Sequence, residues 1–190
     1  MPQSKEEIHS QALANLDTIS NRMEGLSPWR SAMQVAVSPK TQIAKFQNLK
    51  QIATKISEIG APLTACKNGC SYCCYQAVSV SELEARDISK LTGQHYVKPQ
   101  VTDVKEDRQR FAGVPCVFLE KGQCSIYEAR PLICRTHLNL SNNQDICKIG
   151  NPLSHDVPYL DASPLNLPIA LICGGEFHDI RYWFPKDCAN

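Results

Sequence analysis

The chain opens with two stripes of apolar residues at helical spacing. Ile8, Leu13, Leu16, Ile19 and Met23 recur at short, helix-like intervals, and Gly25 with Ser27-Pro28 supplies a stop. Ile43, Phe46, Leu49, Ile52, Ile56 and Ile59 form a second stripe that ends at Gly60-Ala61-Pro62. Together they predict an N-terminal helical hairpin. It carries no cysteine and, of histidines, only His9, so it is expected to pack against the rest of the chain or against a protein partner.

From Leu63 the pattern breaks up. Ser79-Val80-Ser81-Glu82-Leu83-Glu84 offers two overlapping capping boxes for a helix running to about Leu91-Thr92-Gly93, and a charged helix is expected from Thr102 to Phe111. Cys116 to Leu119, a Glu120-Lys121-Gly122-Gln123 turn and Cys124 to Tyr127 read as a small hairpin of strands. Arg130-Pro131 starts a short helix with Cys134 on its inner face. Beyond Cys147 the chain is punctuated by Pro152, Pro158, Pro164, Pro168 and Pro185, which predicts an extended tail wrapped on the domain. The fold class expected is mainly α with a small β-hairpin: a metal-stapled irregular domain with an N-terminal helical hairpin (1–62), a cysteine-cluster core (63–150) and a proline-rich C-terminal tail (151–190).

Composition changes this picture in one respect. Ten cysteines in 190 residues is about 5%, below the roughly 8–10% of short secreted disulfide scaffolds yet too many for incidental core residues. Twenty basic against nineteen acidic residues leave a net charge of +1, which offers no field for nucleic acid or an anionic membrane. No apolar stretch reaches bilayer length and no apolar run follows a positive start at the N-terminus. A cytoplasmic location is therefore expected, where thiols stay reduced and cysteines serve as ligands or nucleophiles more than as bridges.

Cys66, Cys70, Cys73 and Cys74 have helical spacing and on a continuous helix would form one buried face. Asn68-Gly69 is a turn signal that breaks such a helix and lets the thiolates converge. Thiolates are soft anionic ligands suited to tetrahedral zinc or to the irons of an iron–sulfur cluster. Adjacent side chains such as Cys73 and Cys74 diverge, so both are not expected on one mononuclear ion. The remaining ligands are sought downstream, in Cys116, Cys124, Cys134 and Cys147.

The run Cys66-x3-Cys70-x2-Cys73-Cys74, followed by Pro115-Cys116-x-Phe118-Leu119 and Gly122-x-Cys124-x-Ile126-Tyr127-Glu128-x-Arg130-Pro131-x2-Cys134-Arg135, resembles the CxxCxxCC cysteine-cluster family, also called YkgJ-like. A similar cluster occurs in the flagellin lysine-N-methylases. The resemblance covers roughly residues 66 to 135, and its first spacing is x3 where the family name implies x2. It implies a zinc- or iron-chelating protein with Cys66, Cys70, Cys73, Cys74, Cys116, Cys124 and Cys134 as the metal-binding set. Cys147 is added as an eighth ligand from its placement alone. Cys173 is its rival, and Cys188 is expected to be free.

The neighbours fit a thiolate centre. Arg130 and Arg135 flank Cys134, where their charge offsets that of many thiolates, and Glu128 is placed to orient one of them. Tyr127 and Phe118 are expected to shield the site from water. His137, three residues past Cys134, competes with a cysteine for a place in the ligand set, whereas His178 has weaker support.

Two function classes follow. The first is a metal-binding protein with a structural or electron-transfer role, in which each zinc–thiolate site would contribute on the order of 10 kcal/mol to folding. Within it an iron–sulfur cluster, such as 4Fe-4S, is favoured over zinc, because mixed spacings and adjacent cysteines suit a polynuclear centre better than paired zinc knuckles. The second is a metal-dependent enzyme of methyl transfer or redox chemistry, like the flagellin methylases, using S-adenosylmethionine. Cys66 to Cys73 match the three-cysteine spacing of radical enzymes of that cofactor, and Gly174-Gly175-Glu176 echoes their cofactor-amine motif. The alternating strands and helices of a partial barrel are missing from the pattern after the cluster.

Overall fold

The computed structural model describes residues 3–100 and 107–186. It is mainly helical, with two small two-stranded antiparallel sheets. The N-terminal region is a three-helix arrangement and not the expected hairpin. Helix α1 (Lys5–Met23) starts with a capping box in which Ser4 and Glu7 exchange hydrogen bonds, and α3 (Gln42–Gly60) is capped by the Thr41 hydroxyl. Between them lies α2 (Pro28–Val37). The Ser27-Pro28 pair that reads as a stop is a start: at the first helical position proline gives up only an N–H that has no intrahelical partner anyway. The apolar stripes bury Ile8, Ile19, Met23, Phe46, Leu49 and Ile56, while Leu13 and Ile43 face solvent.

After a 3-10 turn at Ala61–Leu63 come the cysteine-bearing turn and strand β1 (Ser79–Ser81), which feeds α4 (Glu82–Thr92). Of the two possible capping boxes the second forms, with Ser81 as N-cap and Glu84 reaching back, and Gly93 ends the helix at a positive φ. The charged helix expected from Thr102 to Phe111 lies partly outside the described residues; within them a single turn, α5 (Asp107–Arg110), is present. Strands β2 (Leu119–Glu120) and β3 (Gln123–Cys124) make the predicted hairpin, with Lys121 and Gly122 both at positive φ in its turn. Helix α6 (Leu132–Thr136) follows Pro131, as expected.

The C-terminal region is not an extended tail. It contains α7 (Asn166–Cys173), strand β4 (Phe177–Asp179) and a last turn, α8 (Ile180–Trp183). Pro164 sits in the 3-10 turn Ser163–Leu165, and Pro168 sits in the first turn of α7, where a missing N–H costs nothing. β4 pairs with β1 in a second sheet, Val80 facing His178.

Two hydrophobic clusters result. One joins α1, α2 and α3 to Leu132, Leu138, Leu140, Leu165 and Ile172, so the N-terminal helices share a core with residues far downstream. The other gathers Val80, Ile88, Phe118, Ile126, Ile180 and Trp183, together with Cys74 and Cys116. Cys66 packs against the first cluster and Cys73, Cys124 and Cys134 against the second, which places the cysteine array along the seam between them.

Candidate metal centre

The cysteine-bearing segment folds as the turn signal predicts. The Cys70 N–H donates to the Lys67 carbonyl at 3.0 Å, and Gly69 takes φ +95°, a left-handed geometry that only glycine adopts without strain. Tyr72–Tyr75 then forms a 3-10 turn, closed by the Cys74 N–H on the Ser71 carbonyl at 2.9 Å. On this tight turn Cys73 and Cys74 both line the same cavity.

The second group of cysteines is tied to the first through the backbone. The Cys116 N–H donates to the Cys74 carbonyl at 2.7 Å, and the ladder of the hairpin sets Cys124 opposite Leu119. Cys134 projects from α6, which is anchored where buried Glu84 accepts the Leu132 N–H at 3.0 Å. The carboxylate that caps α4 therefore also fixes the helix that carries Cys134. Cys66 is held from the other side: the Ala65 N–H donates to the Ser141 carbonyl at 2.7 Å, and buried Asn15 of α1 donates to the Leu140 carbonyl at 2.7 Å.

Cys66, Cys70, Cys73, Cys74, Cys116, Cys124 and Cys134 all line one cavity of about 70 Å³. One water-sized body needs roughly 10–15 Å³ on this measure, so the space exceeds that of a single small ion. Its walls include Phe118, Ile126, Tyr127 and Leu138, and its charged residues are Lys67 and Arg130, with no carboxylate. The expected screening by Tyr127 and Phe118 matches this lining. Cys147 stands outside the lining, but close enough for its charge to act on Cys66 and for those of Cys70 and Cys73 to act on it. Cys173 is elsewhere: it is buried in the helical core near Glu84 and Ser81. Cys188 lies outside the described residues. The nine described cysteines are all free thiols.

The electrostatics describe thiols gathered in neutral form. Burial pushes Cys66 up to about 12, with the Asn139 N–H opposing the rise. Cys73 is held well above the usual thiol range, first by its hydrogen bond with Cys74 and then by burial, and burial raises Cys134 well above it too. Cys70, Cys116, Cys124 and Cys147 are raised by the same desolvation. Arg130 opposes the rise at Cys73, Cys124 and Cys134.

Of the two arginines flanking Cys134, only Arg130 serves the cavity. Its guanidinium lies 3.7 Å from the Tyr127 ring centroid and donates to the Ser57 hydroxyl at 2.8 Å. Arg135 instead staples α6 to its surroundings, donating to the Arg130 and Glu128 carbonyls and to the Thr54 hydroxyl. Glu128 meets Arg135 through its backbone carbonyl, not through the carboxylate pair that its spacing suggests.

Among the described residues no group of three or more His, Cys, Asp or Glu side chains is closed tightly enough to hold a metal ion as it stands. The donor chemistry nevertheless fits a soft metal. Seven sulfurs face one cavity, and two of its polar lining atoms, His137 Nε2 and Arg130 Nε, are buried without a partner. Desolvating such atoms unpaired is costly, so an acceptor or a ligand bond at this place would relieve both. Burial keeps His137 neutral by lowering its pKa, the form that binds metals. His178 also has an unpartnered nitrogen, but it lies in β4 away from the cavity, and Glu176 of the Gly-Gly-Glu run points to solvent with 73% of its side chain exposed.

Four residues important to the arrangement carry no local signal. Asn139 is fully buried between Cys66 and Cys147, and Tyr159 covers Cys147 and stacks on His137. Asp179 and Arg181 form a buried ion pair, and Arg181 also donates to the carbonyls of Cys74, Gln76, Val114 and Pro115, binding both cysteine-bearing segments together. A lone Asn, Tyr or Asp-x-Arg tells nothing without the distant carbonyls and sulfurs it meets.

Among curated proteins and among solved structures no match to the chain was found. Residues 65–150 match the model of the family CxxCxxCC, described as "Putative zinc- or iron-chelating domain". The match runs from the residue before Cys66 to the glycine that follows Cys147 by three positions, and so spans both groups of cysteines. Over residues 65–150 the chain is similar to the CxxCxxCC family.

Proposed function

We propose that the chain holds a polynuclear thiolate metal centre, an iron–sulfur cluster in preference to zinc, with a structural or electron-transfer role. The observation that carries the reading is the convergence of seven cysteines from separate segments on one carboxylate-free cavity. Cys66, Cys70, Cys73, Cys74, Cys116, Cys124 and Cys134 would hold the metal, with Cys147 beside them. The surplus of sulfurs over the four that one tetrahedral ion takes supports a polynuclear group. When bound, such a group supplies one-electron transfer at a potential set by its charge, its hydrogen bonds and its exposure.

This chain's own residues prepare the place. Arg130 brings positive charge to offset that of the thiolates, while Phe118, Ile126 and Leu138 exclude water. Nine free thiols suit a reducing compartment, which supports a cytoplasmic location. No described helix is long and apolar enough to cross a membrane. A protein partner would meet the N-terminal helices, where Leu13, Val37 and Ile43 are exposed.

Anaerobic purification followed by visible absorption and by iron, sulfide and zinc analysis tests the reading. The expected result is a coloured protein with iron and acid-labile sulfide in comparable amounts. A colourless protein holding only zinc overturns the iron–sulfur assignment, and a protein that takes up neither metal overturns the centre itself.

A further inference from the structure

Cys66 and Cys147 are far apart in sequence, yet one residue is hydrogen-bonded to both sulfurs. The backbone N–H of Asn139 donates to Cys66 Sγ at 3.1 Å, and its side-chain Nδ2 donates to Cys147 Sγ at 3.3 Å. Asn139 is itself fixed, because Oδ1 accepts the Ser141 N–H at 2.9 Å, Nδ2 also donates to the Asn143 carbonyl at 3.0 Å, and the residue is fully buried. The Tyr159 hydroxyl approaches Cys147 Sγ at 3.9 Å, and its ring is held by stacking on His137, 4.1 Å between centroids and 28° between planes. The backbone bridge between Asn139 and Tyr159 locks the two residues side by side.

Neutral thiols gain little from several converging donors, since sulfur is a weak acceptor. A thiolate gains much more, because hydrogen bonds to an ionised acceptor are about twice as strong as neutral ones. We propose that Asn139 and Tyr159 are positioning residues that join Cys66 and Cys147 in one metal centre and tune it through hydrogen bonds to their sulfurs. The inference rests on the proposed thiolate centre and deepens it. It makes Cys147 a ligand although it does not line the cavity, and it makes residues 139 and 159 the source of the centre's electronic setting. Partners of this kind orient ligands and commonly alter metal affinity 10–100-fold when removed.

The test uses the full chain loaded anaerobically with cobalt(II), whose thiolate charge-transfer band reports electron density at sulfur, and with zinc in competition against a chromophoric chelator. Tyr159→Phe keeps the stack on His137 and removes the hydroxyl. It is expected to move the charge-transfer band to lower energy and to weaken zinc binding about tenfold. A merely structural role would not move the band. Asn139→Asp removes the Nδ2 donor in the same volume and is expected to move the band the same way. If it fails to fold, Tyr159→Phe and Cys147→Ser decide alone. Cys147→Ser is expected to lower the cobalt bound per chain. A wild-type chain that takes up neither cobalt nor zinc defeats the proposed function itself. A wild-type chain that binds both, with Tyr159→Phe matching it in band and affinity and Cys147→Ser matching it in stoichiometry, overturns this inference and leaves that reading standing.

Discussion

Asp179→Ala tests the frame around the cysteines. The Asp179 carboxylate accepts the Val78 N–H at 2.7 Å, the Arg181 N–H at 2.9 Å and the Arg181 guanidinium at 2.9 and 3.0 Å. Asp179 is 1% exposed and Arg181 8%. The alanine leaves a buried guanidinium facing only backbone carbonyls and a buried Val78 N–H without its acceptor. Removing one partner of a buried, hydrogen-bonded pair typically costs about 3–5 kcal/mol, and the unpaired charge dominates that figure. For a chain of this size about 1 kcal/mol moves the melting temperature by roughly 2–4 °C, so a fall of roughly 6–20 °C is expected. Because Arg181 also grips the Cys74 and Pro115 carbonyls, the loosened guanidinium frees both cysteine-bearing segments, and metal uptake should weaken with stability. Thermal and urea unfolding of the metal-free variant, against Glu82→Ala at the exposed Arg86 pair, measures the effect. The exposed pair should cost about 0.3–0.5 kcal/mol. An Asp179→Ala variant no less stable than Glu82→Ala would refute the assignment of Asp179 and Arg181 as the clamp.

Other consequences are open to the same kind of measurement. Burial raises the pKa of Glu84 above its ordinary value, so the folded state binds its proton more tightly than the unfolded state. Its share of stability is fully present below the unfolded pKa and is lost as pH rises through the folded one. Glu84→Gln should flatten the fall of stability above the ordinary carboxylate range, while costing about 1–3 kcal/mol at all pH because the amide nitrogen cannot accept from Ser81; an unchanged pH slope would contradict this. Gly60→Ala would drive its Cβ against Leu138 Cδ1 and should cost about 1–3 kcal/mol in urea unfolding, the usual range for overpacking. Cys173→Ala should leave metal content at the wild-type value, because Cys173 lies in the helical core and does not line the cavity.

What the sequence discloses tracks how local each cause is. The capping box at Ser81 and Glu84, the turn at Gly69, the Lys121-Gly122 hairpin and the start of α6 after Pro131 depend on a few neighbouring residues, and each is legible from them. Prolines mislead where position within a helix matters more than presence: Pro28 and Pro168 sit in first turns, where they are harmless, and so α2 and α7 replace a stop and an extended tail. β1 and β4 are three residues each, too short to show a period, and their pairing is set by the cores on either side. Within the site, the spacing of the first four cysteines points to convergence, and order and context bring in Cys116, Cys124 and Cys134. The contact of Cys147 with this group passes through Asn139, whose role exists only once the chain has folded.

Residue-resolved alkylation measures directly whether the proposed set of thiols becomes metal-bound. Metal-free and metal-loaded protein are treated with iodoacetamide under anaerobic conditions, and the labelling rate of each cysteine is read by peptide mass spectrometry. Loading is expected to suppress labelling at Cys66, Cys70, Cys73, Cys74, Cys116, Cys124, Cys134 and Cys147 together, while Cys173, which does not line the cavity, labels at the same rate in both forms. Labelling rates at those eight cysteines that stay unchanged when metal is bound would contradict the proposed set.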